Sequence, residues 1–186
     1  MLGLRTTGAA IVCWLLMSHA CLAQLVGENL LTNLPDGYKV GYQNRNDKEL
    51  ISEMVPQNET VENWTEMVTV QIFFGQKTGA SQFMARIDKL WVASCPGGEP
   101  RSLYDGLARG YATAMWVLVC PLNPATKKPE ITWFKAVQGN DSLYVVQKAF
   151  KFMPTQEQAS KWLRYLEEVT VCDSRLPDRA CPRTKQ

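Results

Sequence analysis

The stretch EITWFKAVQGNDSLYVVQKAFKF, residues 130–152, decides the fold. Two runs rich in β-branched and aromatic residues flank Gln138–Gly139–Asn140–Asp141, whose Gly, Asn and Asp have the chemistry of a tight turn. The stretch therefore reads as a hairpin, and a hairpin makes its strands antiparallel. Just beyond it, Thr155 and Gln158 have the spacing of a capping box, in which each side chain satisfies an orphan amide of a helix start. Ala159, Trp162, Leu163 and Leu166 follow at helical period as one apolar stripe. Just before it, GYATAMWVLVC (residues 110–120) is almost continuously apolar, the pattern of a strand near the middle of a sheet.

The first half reads in the same order. YKVGYQ and KELISEMV are two strands around the turn NRND, after a lead-in LVGENLLTNLPDG. EMVTVQIFF alternates, with Val68, Val70, Ile72 and Phe74 on one face and Met67, Thr69, Gln71 and Phe73 on the other. A helix is expected over about residues 79–94, burying Phe83, Ile87, Leu90, Trp91 and Ser94. CPGGEP stops it, because proline cannot continue a helix. Strand–strand–strand–helix thus occurs twice, which predicts an α+β domain: an antiparallel sheet of about six strands with two packed helices. The domain is expected to span residues 24–186 as a single unit.

This order is similar to the Mog1/PsbP-like sandwich. The phrases NWTEMVTVQ, TWFKAVQGNDS and YVVQKAF resemble a family of uncharacterised exported proteins of proteobacteria. The resemblance implies export and an α+β fold, and it carries no reaction.

The chain opens with one cation, Arg5, and then TTGAAIVCWLLM, an apolar core too short to span a membrane, so residues 1–23 read as a signal peptide. Cys21-Leu22-Ala23 supplies the small residues a signal peptidase prefers, which places cleavage between Ala23 and Gln24. The alternative, a lipid anchor on Cys21, asks for an aliphatic residue three positions earlier, where the sequence has Ser18. The expected localisation is periplasmic or secreted. Of 20 basic and 18 acidic residues only Arg5 lies in the leader, so the remainder is nearly neutral and shows no basic stripe for nucleic acid.

Cys13 and Cys21 leave with the leader. Cys95, Cys120, Cys172 and Cys181 remain, an even set that reads as two disulfides in an exported chain. Four cysteines allow three pairings. The pairing expected here is Cys95–Cys120 and Cys172–Cys181, the second pinning a tail of about residues 172–186. A four-thiolate zinc site would want C-x-x-C pairs, and none occurs.

His19 is the chain's one histidine and lies in the leader. Without it a Ser-His-Asp or Cys-His nucleophile has no proton carrier, and imidazole cannot ligate a metal. No serine precedes a lysine by three, and no G-x-G-x-x-G or P-loop occurs. Glu53, Glu59, Glu62 and Glu66 cluster, but read as a solvated stretch beside a strand more readily than as a glycosidase pair. Trp64 amid acids, and Trp133 beside Phe134 and Lys135, invite a ligand platform; on strands such residues are more often packing. Asn58, Asn63 and Asn140 match the N-glycosylation pattern, which matters only in a eukaryotic secretory route. Arg175, Arg179, Arg183 and Lys185, against Asp178, give a basic tail suited to an acidic partner or to solvent. No catalytic, cofactor or metal residues are assigned and no cofactor is expected. The function expected is a non-catalytic envelope protein, a binding or assembly module for an unidentified protein or small ligand. A secreted factor acting on another cell and a carboxylate hydrolase are the alternatives.

Overall fold

The structure, a computed structural model, describes residues 25–182. The expected leader with Cys21, Ala23 and Gln24, and the tail residues Arg183 and Lys185, lie outside the described residues. The chain forms β1 (Glu28–Leu31), β2 (Tyr38–Arg45), β3 (Glu49–Pro56), β4 (Glu66–Phe74) and α1 (Ala80–Ser94). It continues through β5 (Glu99–Ala108), β6 (Tyr111–Cys120), β7 (Glu130–Gln138), β8 (Ser142–Phe150), α2 (Gln156–Glu168) and β9 (Thr170–Asp173). A single 3-10 turn, Pro177–Arg179, follows.

Seven strands form one antiparallel sheet in the order β2-β3-β4-β8-β7-β6-β5, and β1 pairs with β9 as a separate two-stranded ribbon. Two meanders therefore meet where β4 pairs β8, Val70 lying opposite Val146. The sheet is α+β as expected, with three strands the pattern did not show: β1, β5 and β9. β6 is interior but one strand in from the edge, and the middle place belongs to β8.

The apolar continuity of β6 has a direct cause, which is that both faces of the sheet are covered. Trp116 and Leu118 point to one side with Phe83 of α1, Phe134 and Val145. Met115 and Val117 point to the other with Trp133, Val146, Phe150 and, from α2, Trp162 and Leu166. Trp116 stacks on Phe134 with ring centroids 4.9 Å apart, a cross-strand pair. Trp133 meets Phe150 edge-to-face at 5.8 Å on the opposite side. The chain is thus a three-layer sandwich with one helix per face.

Both helices start at the same spacing after the two central strands, Ala80 after Phe74 and Gln156 after Phe150, yet they cross to opposite faces. The connectors differ. The first bends through Gly75 and Gly79, both at positive φ (69° and 83°), a region closed to most side chains. The second carries Pro154 and ends in the capping box: Gln158 N donates to Thr155 Oγ1 at 3.2 Å and Thr155 N to Gln158 Oε1 at 2.9 Å. On α2 the stripe holds, with Trp162 and Leu166 buried. On α1 it is narrower than expected. Phe83 is buried and Ile87 and Trp91 are half-buried, but Leu90 and Ser94 face solvent, because α1 lies near the sheet's β5–β6–β7 end and only one stripe touches it.

Two disulfides close the fold. Cys95–Cys120 ties the end of α1 to the end of β6, and Cys172–Cys181 ties β9 to the tail, with Cα separations of 5.8 and 4.8 Å. Both lie in the range natural bridges occupy. They are the mark of an oxidising, extracellular-type environment. No helix among the described residues is long and apolar enough to cross a membrane.

Candidate functional site

On the α2 side, α2 does not reach the β5 edge, and a groove of about 510 Å³ runs between them. Leu163 and Glu167 form the helix wall, Thr113, Met115 and Lys135 the floor, and Leu103, Tyr104 and Ala108 the outer wall. The outer wall depends on a β-bulge. The β5–β6 register slips between Ser102 and Tyr104, so Leu103 is an extra residue, and Leu103 and Tyr104 both turn to the groove. Leu103 remains 48 % exposed and Tyr104 41 %.

The groove continues towards the β5–β6 turn. A polar recess of about 50 Å³ beside Tyr111, Thr113 and Lys135 leads to two clefts of about 450 and 660 Å³. These share Leu31, Arg109, Thr170 and Pro182, so Arg109 borders both clefts and the recess. Arg109 and Gly110 form the two-residue turn, with φ of 48° and 77°. Such a turn favours Asn-Gly; arginine at the first position is strained by its Cβ. Gly110 suits its φ of 77°, and any side chain there would also have to displace the Arg179 guanidinium. Arg179 itself stacks 4.5 Å above the Tyr111 ring.

Lys135 explains how α2 ends. Its last turn carries Glu167 and Glu168 and no basic residue, an unfavourable arrangement at the negative end of the helix dipole. The cation comes from β7 instead. Lys135 Nζ donates to the carbonyls of Leu166, Glu167 and Val169 at 2.9, 3.0 and 2.7 Å, capping orphan acceptors. Burial pushes this ammonium down to about 8, with the Glu167 charge pulling the other way.

A second buried lysine sits at the other end of the same face. Lys148 on β8 is fully buried and donates to Tyr38 Oη at 2.7 Å and Glu66 Oε2 at 2.8 Å, while Tyr38 donates to the same Glu66 oxygen at 2.7 Å. Its ammonium lies 3.9 Å from the Trp162 ring centroid and 4.3 Å from that of Phe150. Burial lowers it to about 8 against the opposing pull of Glu66, and desolvation with Glu66 beside it raises the Tyr38 phenol.

The residues singled out by sequence disperse into structural roles. Glu66 is bound to Lys148 and Tyr38. Glu59 accepts from the amides of Thr65 and Glu66, while Glu53 is half-buried on β3 and Glu62 faces solvent. Trp133 and Phe134 are core. Trp64 carries the Lys151 ammonium 3.7 Å from its ring centroid. Asn58, Asn63 and Asn140 are exposed. Arg175 bridges Asp173 (2.6 Å) and Asp141 (2.7 Å), tying β9 to the β7–β8 turn, and chiefly through its hydrogen bonds holds the Asp173 carboxyl at about 2. Glu28 on β1 accepts from the Asn140 and Asp141 amides and from Tyr144 Oη, closing the same corner. Among the described residues, no group of three or more His, Cys, Asp or Glu is placed to hold a metal.

No family model matches the chain, and no curated protein is similar to it. Among solved structures, a point mutant of Mog1 is similar in fold alone, at 12 % identity and a TM-score of 0.44, over 73 % of this chain and 78 % of that one. Sequence reasoning did not find the groove. The bulge at Leu103 and the reach of α2, neither of which has a local signature, create it.

Proposed function

We propose that this protein is an exported, non-catalytic binding module of the bacterial envelope, cleaved after Ala23 and acting in the periplasm. The groove between α2 and β5 is its ligand site. One observation carries the reading: Leu103 and Tyr104 are turned by a β-bulge onto an open groove of about 510 Å³, a size typical of small-molecule sites. Bulges recur where an edge strand re-aims side chains toward a site. The charged groups at the groove floor support binding rather than chemistry, since Lys135 commits all three of its donors to the end of α2.

The test is titration with Nile red, a neutral apolar dye, against the wild type and Leu103→Asp. Saturable binding to the wild type, lost in a variant with unchanged melting temperature, supports the groove. Equal binding by both proteins removes it. Intact mass of the envelope protein checks the export part: a chain beginning at Gln24 agrees with it, and one beginning at an acylated Cys21 replaces it with a membrane tether.

A further inference from the structure

We infer that the groove takes an anionic amphiphile, an apolar chain with a single carboxylate or phosphate head, and that Arg109 binds the head. This rests on the groove being a ligand site and names what it holds.

Three observations converge at Arg109. Its backbone adopts φ 48° in a two-residue turn where asparagine is the comfortable residue, so a long cation is kept at a conformational cost. It has no ion-pair partner among the described residues, unlike Arg175 and Arg179. It also stands where three spaces meet: the recess leading from the apolar groove and the two clefts beyond. A guanidinium there offers paired donors matched to a carboxylate or a phosphate.

Tyr111, 3 % exposed, lines the same recess, and the Arg179 guanidinium 4.5 Å from its ring centroid opposes the upward push of burial on its phenol. The chain of such a ligand would lie along Leu103, Met115 and Leu163, with its head past Lys135 at Arg109. The neighbouring charges leave Arg109 available. Glu167 faces Lys135 and Asp178 pairs with Arg179, while Glu168, on the rim of the 450 Å³ cleft, opposes an anion and tunes affinity downward.

The experiment is calorimetric titration of the full chain with dodecanoate, dodecyl phosphate and dodecanol, each below its micelle concentration. Either anion is expected to bind at least tenfold more tightly than the alcohol, and the preferred one tells a free fatty acid from a phosphate-headed lipid. Arg109→Asn should reduce the anions to the level of the alcohol while raising the melting temperature, since it relieves the turn. Glu168→Gln should tighten both anions. Anions and alcohol binding equally, or Arg109→Asn leaving anion affinity unchanged, overturns the assignment of Arg109. If Nile red occupies the groove but no amphiphile does, the groove survives and the anionic ligand falls.

Discussion

The ammonium of Lys148 lies 3.9 Å from the ring centroid of Trp162, so α2 meets the sheet through a buried cation as well as through apolar contact. The lysine enters from β8, the tryptophan from α2, and Glu66 and Tyr38 from β4 and β2 complete the cluster. Four elements thus converge on one charge. Its satisfaction is a condition of the core and not an addition to it.

The two ends of that ion pair should respond unequally to mutation. Glu66 is partly open to water, with its side chain 21 % exposed, whereas Lys148 is sealed. Glu66→Ala leaves a buried charge without its counter-ion and should cost about 3 kcal/mol or more. Lys148→Met leaves a carboxylate that water can reach, and places a thioether among three rings, so its cost should be about 1 kcal/mol. Urea unfolding of both variants checks the order; equal losses would mean that the pair is not sealed on the lysine side.

Stability should rise with pH in an unusual window. Lys135 and Lys148 both sit near 8 when folded and near 10.5 when unfolded. Between those values the unfolded chain binds more protons, so raising the pH raises its free energy more than that of the native state, and stability increases. The cost of burying the two charges is fully present below about pH 8 and is relieved as pH climbs through it. The raised tyrosines, Tyr38, Tyr111, Tyr144 and Tyr165, reverse the trend where free tyrosine ionises. Chemical denaturation from pH 7 to 10 should show the rise, and Lys148→Met should reduce it. A flat profile would place both lysines in water.

Each disulfide should be worth roughly 2–5 kcal/mol. Cys95→Ser releases the end of α1 from β6, and Cys172→Ser releases the tail that borders the 660 Å³ cleft. Thermal unfolding with and without reductant measures both. The first should lower global stability. The second should also loosen exchange protection in the β1–β9 ribbon.

Trp162→Ala should cost roughly 3–5 kcal/mol, the usual loss for a large buried aromatic. The residue is 3 % exposed and contacts Tyr38 and Tyr165 edge-to-face at 5.3 Å. A neutral result in a denaturation series would detach α2 from the core described above.

Much of this architecture was legible because its signals are local. The turn at Gly139–Asp141, the Thr155–Gln158 box and the apolar run of β6 each depend on residues within a few positions of one another. The buried lysines were legible too, on a closer reading. Lys148 alternates with Val146 and Phe150, and Lys135 with Trp133 and Val137, so period two places both inward. What escaped depends on distance. β1 and β9 are four residues each and have no strand signature apart from one another. β5 is an exposed edge with Asp105 and Gly106 in its middle, so its alternation is lost. The groove requires knowing where α2 stops short, which no residue of α2 states.

The crossing of α1 to strands made later in the chain has a kinetic consequence. As synthesis proceeds, β2, β3, β4 and α1 come out first, but α1 packs on β5, β6 and β7, and β4 has no inner neighbour until β8 exists. β1 waits longer still, for β9. The β2–β3–β4 meander can pair early, but its β4 edge and the buried face of α1 stay uncovered, and the ordering entropy of the distant pairings falls due before they stabilise anything. Such topologies fold in milliseconds to seconds. A nascent chain of this sequence cannot join its two meanders into one sheet until β8 has been made, nor pair β1 until β9 follows.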